Sequence, residues 1–496
     1  MKILVIQQAR LGDIYLSWPT IRALRRHYPQ GEIHVLVRSR FSAALTGLDA
    51  VDRIWHFPSQ SLAESLLSGD QGLEEAEKCV SDFLGQLKEQ SFDLIANLSF
   101  SPLSSYLTHR VSSENSQVRG YTRQADGYLS LPDDASSYFY AQVGPGRVNR
   151  YHLADLLAEV AGVSLKEEDW LAPWSFIEPR EVLRVIKQTP IQPLEPYILV
   201  HVGASEERKC YPLSLWSKAL EILNQQWDGQ ILVVGSAEEA DRGEQLCSEL
   251  EWAYNWCGKS SLPDLFALSK GADLVVGADS VLMHIAALTE TPCLNLSATR
   301  IVNFWETGPR SQGSRILLAE RMEEISPAVV SREIQNLLNK QPAKVPLMER
   351  VNNSYVGSEG LFSCRDFSWD LVQAIYAGGE IPILEDYSVY SALGQLNELC
   401  ELALAQIQSL GSADQKLNLE VIQQVDQLVD QVARRQPEVA PLVSWFKTEL
   451  IRIGPASIDV VINRTEKVYQ NFKLVLSQYC GSPASQLRDN GPKAEF

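Results

Sequence analysis

Residues 1–13 read MKILVIQQARLGD. Ile3-Leu4-Val5-Ile6 is a short, continuous apolar run that polar Gln7 and Gln8 end. A run with no polar alternation fits a strand buried on both faces, as in a parallel sheet covered by helices. Leu11-Gly12-Asp13 then turns the chain. Beyond it Ile14, Trp18, Ile21, Leu24 and Tyr28 recur at helical spacing, with Ser17 and Pro19 suited to a helix start. Pro29-Gln30-Gly31 stops this helix, and Ile33–Val37 predicts a second strand. The three pieces make one βαβ unit, whose crossover is expected to be right-handed.

Working outward, a helix over about 73–90, a strand over Phe92–Leu98 and a helix over Tyr151–Ala161 complete a first α/β half. Residues 101–150, rich in Ser, Gly, Arg and Tyr, read as loops and short elements near an open face. Residues 163–195 carry several prolines and read as an interdomain linker. The α/β pattern then restarts. Strands are predicted at Tyr197–His201, Gln230–Val234 and Leu274–Val276, with helices at Leu213–Gln225, Glu238–Glu249, Leu262–Ala272 and Leu282–Leu288. Ser326-Pro327 caps a further helix carrying Val330, Ile334, Leu337 and Leu338. Two such halves predict two Rossmann-like domains facing a cleft. We place the first at 1–178 and the second at 179–345. Residues 346–496 form an irregular linker and a helical extension, with apolar stripes such as Leu393, Leu396, Leu399, Ala403, Leu404, Ile407 and breaks near Gly411, Pro437 and Gly454-Pro455.

The net charge of -18 argues against nucleic acid or anionic lipid as a general partner. The first sixty residues run the other way, with eight Lys and Arg against four Asp and Glu. The eight cysteines show no CxxC pair and no zinc-like spacing, which fits buried cytosolic thiols. The opening apolar run is too short for a signal-peptide core, and no stretch is long enough to span a bilayer. A cytoplasmic protein is expected, with any membrane contact peripheral, at the inner face of the cytoplasmic membrane.

Chemistry-bearing residues fall in the strand-to-helix turns. Gly12 allows close backbone approach, and Asp13 is either a turn or capping residue or a carboxylate poised as general base. His201 to Lys209 (HVGASEERK) is either a solvated loop or a phosphate site, with backbone amides around Ala204, the Ser205 hydroxyl and the Lys209 charge. Glu239, after the next strand, either complements a helix dipole or binds ribose hydroxyls. Asp279-Ser280 starts a helix whose free amides suit a diphosphate; His284, one turn in, is a core histidine or a ligand contact.

Taken together, Gly12-Asp13 with Pro19 and Leu24-Arg25, Gly203-Ala204-Ser205 through Lys209, Gly235 with Glu239, Cys257-Gly258, Ser261-Leu262, and Asp279-Ser280 through His284 resemble the family nine glycosyltransferases, the ADP-heptose:lipopolysaccharide heptosyltransferases. The resemblance spans roughly residues 1–340. It implies a GT-B fold and an inverting transfer that uses neither metal nor other cofactor. It also implies roles: Asp13 as general base; Gly12, Ala204, Ser205 and Lys209 around the donor phosphates; Glu239 on the ribose; and Asp279, Ser280 and His284 on the diphosphate and sugar. The partners implied are an ADP-heptose-type nucleotide sugar and an anionic glycan or glycolipid acceptor, such as a Kdo- or phosphate-bearing core. Arg119, Arg123, Arg147 and Arg150 are candidate contacts to that acceptor, or else solvated surface.

Some positions depart from the family pattern. Val281 and Leu282 stand where the family has a small residue, Tyr211 stands for a tryptophan, and Ser297-Ala298-Thr299-Arg300 lacks the usual Gly-Pro. The tail lies outside the resemblance and is either a docking module for a protein partner or a stabilising cap. Two other readings remain: the same fold using another nucleotide sugar or a protein acceptor, and a non-catalytic sugar-nucleotide-binding scaffold.

Overall fold

A computed structural model describes residues 1–144, 146–341, 347–351, 354–357, 366–384, 386–410 and 415–479. Among them, contacts resolve two compact units. The first is drawn from Met1–Ser99, Arg110–Val118 and Tyr151–Cys364; the second from Phe100–His109, Arg119–Arg150 and Arg365–Phe496.

The strands β1 (Lys2–Ile6), β2 (Glu32–Arg38), β3 (Arg53–Phe57), β4 (Leu94–Asn97) and β5 (Gln117–Gly120) form one sheet in the order β3-β2-β1-β4-β5. The β1, β2, β3 and β4 pairings are parallel. The opening run is the central strand, and Ile3, Leu4, Val5 and Ile6 are all fully buried. That is the burial a strand covered on both faces requires. A two-stranded antiparallel ribbon, β6 (Thr122–Arg123) with β7 (Leu129–Ser130), belongs to the second unit.

The second sheet contains β8 (Tyr197–His201), β9 (Gln230–Val234), β10 (Ala253–Asn255), β11 (Leu274–Ala278), β12 (Cys293–Ala298), β13 (Arg315–Ala319), β14 (Leu347–Val351) and β15 (Ser354–Gly357), in the order β10-β9-β8-β11-β12-β13-β14-β15. Pairing is parallel as far as β13, and β14 and β15 then add antiparallel strands at the edge. Both sheets therefore reverse direction of build-up beside their first strand, between β1 and β4 and between β8 and β11. The crevice outside the carboxyl ends of strands at such a switch point is where open α/β sheets take ligands. These are two Rossmann-like α/β layers, followed by helices toward the C-terminus.

The start of the first helix is corrected, and the segments 101–150 and 163–195 gain detail. The helix after β1 runs Leu11–His27, so Ser17 and Pro19 lie inside it instead of starting it. The earlier start is set by Asp13, whose carboxylate accepts the Arg10 backbone N–H at 3.0 Å. Segment 101–150 contains the helices Pro102–Val111 and Asp134–Gln142. Serine-rich composition hides them, although Asp133 caps the second by accepting from Ser136 N–H at 2.7 Å. The segment 163–195 holds the helices Trp174–Ile177 and Pro179–Ile186. β12 runs through Ser297 and Ala298, the first two of the four residues that depart from the family pattern there.

The C-terminal helices Phe367–Ala377, Tyr387–Gln408, Gln415–Arg435, Ala440–Arg452 and Ile458–Ser477 share a core. Leu393, Leu396, Ala403, Leu404 and Ile407 are buried in it, as their spacing predicts, and Phe446 stacks on Phe472 at 4.2 Å. Breaks fall at Pro437 and Gly454-Pro455; Gly411 lies outside the described residues. The thiols of Cys210, Cys257, Cys293 and Cys400 are free and buried, Cys79 and Cys247 are half-buried, and Cys364 and Cys480 lie outside the described residues.

Candidate active site

The carboxyl end of β1 leads straight into the first turn of helix Leu11–His27, and that turn is tied down from several sides. Gln7, buried at the end of the strand, donates through Nε2 to Ser17 Oγ at 2.7 Å and more weakly to the Asp13 carbonyl at 3.4 Å. Ser17 Oγ in turn donates to the Asp13 carbonyl at 2.8 Å. Gly12 meets the second half of the first unit. A Cβ built on it would lie 3.2 Å from His284 Cδ2 and 3.4 Å from Nε2, so the imidazole packs over a residue that has no side chain. Glycine here serves close approach, not an unusual backbone angle.

Asp13 and His284 perturb each other. Burial pushes the Asp13 carboxyl above its ordinary range, more than the Arg10 N–H, His284 and Arg10 charges lower it; Asp279 adds to the rise. Burial lowers the His284 imidazole, against the pull of Asp279 and Asp13. The result is a half-buried carboxyl held beside a neutral imidazole.

The second half contributes the loops after β8, β9 and β11. Lys209, at the end of the loop after β8, places Nζ 3.5 Å from Asp279 Oδ2, which follows β11. The two side chains are 15% and 16% exposed, so the pair is sheltered yet open to exchange of partners. Ser280 caps helix Val281–Leu288 in extended backbone, but its side chain makes no capping bond. Its Oγ is buried and has no hydrogen-bond partner among the described residues. A buried hydroxyl beside unfilled amides of a helix start suits an anionic oxygen. Leu282 lies in the apolar core with Val275 and Met283, so of the two bulky departures only half-buried Val281 borders this entrance.

Glu239, after β9, sits in a glycine cradle. A Cβ on Gly203 would fall 1.5 Å from its Oε1, and one on Gly235 would fall 2.6 Å from its Oε2. Oε2 accepts the Ser236 N–H at 2.6 Å and lies 3.5 Å from His201 Nε2. Burial acts to raise this carboxyl, but His201 and Ser236 together bring it down to about 2. Gly258, in the left-handed region with φ of +71°, backs the same turn: a Cβ there would meet Ala237 Cα at 2.8 Å.

The structure thus gathers Gly12, Asp13 and His284 at one point, joins Lys209 to Asp279 beside Ser280, and cradles Glu239 next to His201. Ala204 is half-buried against the core of the second sheet, and Ser205 is exposed on the same loop. Sequence reading does not single out His201 or Arg10. His201 ends its strand immediately before the glycine loop, which is the available signal; Arg10 is only a generic basic residue.

The four candidate acceptor arginines lie in the second unit. Arg123 donates to Ser105 Oγ at 2.8 Å and to the Gly127 carbonyl at 3.2 Å. Arg147 donates to Ser444 Oγ, and Arg150 pairs with Asp366. Arg119 is half-buried.

With this geometry in view, comparison with known proteins is informative. Residues 80–328 match glycosyltransferase family 9 (heptosyltransferase), half of the chain. Lipopolysaccharide heptosyltransferase 1 of Pseudomonas aeruginosa is 24% identical over 358 residues, covering 69% of this chain and 93% of the relative. Lipopolysaccharide heptosyltransferase 3 of Escherichia coli K12 is 22% identical over 301 residues, 59% of this chain and 81% of the relative. Among solved structures, the E. coli ADP-heptose lipopolysaccharide heptosyltransferase II gives a TM-score of 0.50 at 19% identity, over 68% of this chain and 99% of its own. An E. coli heptosyltransferase solved with ADP gives 0.50 at 15% identity, over 68% of this chain and 100% of its own. These likenesses establish the GT-B fold. No helix among the described residues is long and apolar enough to cross a membrane. The turns at the switch points of two Rossmann-like sheets, and the match across half its length, place this chain in glycosyltransferase family 9, the heptosyltransferase family.

Proposed function

We propose that this glycosyltransferase moves a heptose, or a related sugar, from an ADP-sugar to a lipopolysaccharide-core-like glycan, with inversion and without a metal. The observation that carries the proposal is the convergence of Asp13, from the first sheet, with His284 and the Lys209–Asp279 pair, from the second.

The chemistry follows from that placement. The Asp13 carboxylate takes the proton of an acceptor hydroxyl as its oxygen bonds to the anomeric carbon. The bond from that carbon to the donor phosphate breaks, and the nucleoside diphosphate leaves with the electron pair. One displacement inverts the anomeric centre. Lys209, released from Asp279, supplies positive charge to the departing diphosphate, together with the Ser280 hydroxyl and the amides starting helix Val281–Leu288. Gly12, Ala204 and Ser205 leave room and donors around it. Glu239, ionised and already oriented, accepts from the ribose hydroxyls. The relatives named as lipopolysaccharide heptosyltransferases support the sugar and acceptor class, and the neighbour solved with ADP supports adenine. Arg119, Arg147 and Arg150 are assigned to an anionic acceptor only as a secondary role, and Arg123, whose guanidinium Ser105 and the Gly127 carbonyl engage, is left out of it. Such a reaction belongs to the cytoplasm, with peripheral contact at the inner membrane face. In this reading residues 1–178 serve the acceptor and 179–345 the donor.

One observation favours a second reading. Half-buried Val281, at the phosphate entrance, suits a donor of different shape, so another nucleotide sugar or a protein acceptor is the runner-up.

Calorimetry and thermal shift against ADP, UDP, GDP and CMP and their sugar conjugates, with EDTA present, decide between them. ADP compounds are expected to stabilise the protein selectively, by about 2.7 kcal/mol at a hundred times Kd. Preference for another base would overturn the ADP assignment, and no response to any nucleotide would overturn the transfer itself. In the same assay Gly203→Ala is expected to weaken nucleotide binding roughly tenfold, because its methyl group evicts the Glu239 carboxylate. Unchanged affinity would remove Glu239 from the donor site.

A further inference from the structure

The second unit contains an open groove of about 740 Å³. One side is the β6–β7 ribbon and its loop, with Tyr106 and Tyr140 beside it; the other includes Leu450, Ile451, Gly454 and Pro455 of the tail. Tyr128 is 75% exposed, Tyr106 49% and Tyr140 38%. Three tyrosines on one groove present broad apolar faces with hydroxyl tips. Gln124 and Asp126 stand among them, offering planar donor and acceptor groups.

The loop is held ready. Gln124 N–H donates to the Tyr128 carbonyl at 2.8 Å, and Gly127 N–H to the Gln124 carbonyl at 2.9 Å. Asp126 Oδ1 accepts the Tyr128 N–H at 3.0 Å, and Gly127 takes a φ of +86°. Gly454, with φ of +65°, comes close enough that a Cβ would lie 3.3 Å from Gln124 Nε2. The break at Gly454-Pro455 therefore shapes the opposite wall. Rigid aromatic surface beside oriented polar groups is a binding surface with little ordering left to do.

Charge narrows the ligand. Among the described residues Arg123 is the one arginine lining the groove, and its guanidinium is engaged by Ser105 Oγ, by the Gly127 carbonyl and by the Tyr106 ring, 4.5 Å from its centroid. Asp126 adds a negative charge. A phosphate-rich ligand would find no uncommitted cation among these lining residues, whereas a neutral sugar offers C–H faces for the rings and vicinal hydroxyls for Gln124 and Asp126. We propose that this groove is a saccharide-binding site for neutral sugar units of a glycan, built jointly by the 100–150 segment and the C-terminal helices. The assignment stands independently of the transfer reaction proposed above.

The test uses the full chain and a panel of neutral α- and β-linked gluco-, manno- and galacto-hexasaccharides, with saturation-transfer NMR and calorimetry. At least one is expected to bind, with Tyr128→Ala and Tyr106→Ala each weakening it about fivefold to tenfold and Tyr128→Phe holding affinity. ADP affinity and Tm should not change in Tyr128→Ala, because the ring is exposed. Asp13→Asn and Lys209→Ala should bind the saccharide normally, so this groove and the reaction can fail separately. Binding by none of the panel, or binding indifferent to both tyrosine substitutions, overturns the proposal.

Discussion

Asp13→Asn should lower kcat by roughly 10³-fold, the loss expected when a positioned general base can no longer take a proton. The amide keeps the shape and can still accept the Arg10 N–H that starts the helix. Donor binding should therefore change little, and single-turnover measurements should place the loss in the chemical step. The pH profile adds a second signature. Activity needs ionised Asp13, whose carboxyl burial raises, so the acid limb of kcat/KM lies above the ordinary carboxylate range. Burial lowers the His284 imidazole in the same site, against the pull of Asp279 and Asp13.

The same shift fixes the sign for stability. A carboxyl raised in the folded state holds its proton more tightly than in the unfolded chain. Stability is then lost as pH rises from the unfolded value through the folded one. Above the folded value the enzyme bears the cost of that sheltered charge. Asp13→Asn should consequently melt at the same temperature or higher while inactive, and a marked drop in Tm would show that Asp13 is chiefly a structural cap.

Lys209→Ala is expected to reduce kcat by about 10²–10³-fold, the cost of removing one group aimed at charge that develops on a leaving group. Its pair with Asp279 is sheltered, so removing the cation leaves that carboxylate unpaired and some loss of Tm is expected beside the kinetic effect. Donors with better leaving groups should suffer less from the substitution, and Lys209→Arg should recover part of the rate. An equal loss across leaving groups would make Lys209 a binding residue only. Steady-state assays over a donor series would separate the two.

How far these residues can be read from sequence depends on how local their signals are. The Ile3–Ile6 run announces a buried central strand, because unbroken apolar residues between turns have few other places to go. Tyr197–His201 and Gln230–Val234 are legible for the same reason, down to their end residues. The helix carrying Pro19 misleads because a proline usually marks a start. Here an earlier carboxylate, Asp13, already sets the first turn.

Helix Ile458–Ser477 escapes sequence reading altogether. Its buried residues Tyr469, Phe472 and Leu476 keep helical spacing, but the exposed apolar Ile458, Val460 and Leu474 blur the stripe. The contacts that make the site are further out of reach. Glu239 and His201 are neighbours because β9 pairs with β8, and Gly12 meets His284 through tertiary packing. Register and packing leave no mark on either residue's own neighbourhood in the sequence.

Trp18 links the two sheets of the first unit. Its indole N–H donates to the Ala44 carbonyl at 3.0 Å in the first Rossmann layer, while its ring stacks on Phe266 of the second at 5.6 Å. Tyr15 and Phe176 close on the same phenyl ring from other sides, at 5.6 and 5.7 Å. Prying the layers apart here would wet several aromatic faces, a cost on the order of several kcal/mol. The aromatic knot therefore resists separation of helix Leu11–His27, which carries Asp13, from helix Leu262–Gly271, so the two sheets of this unit are pinned together beside the turns that follow β1.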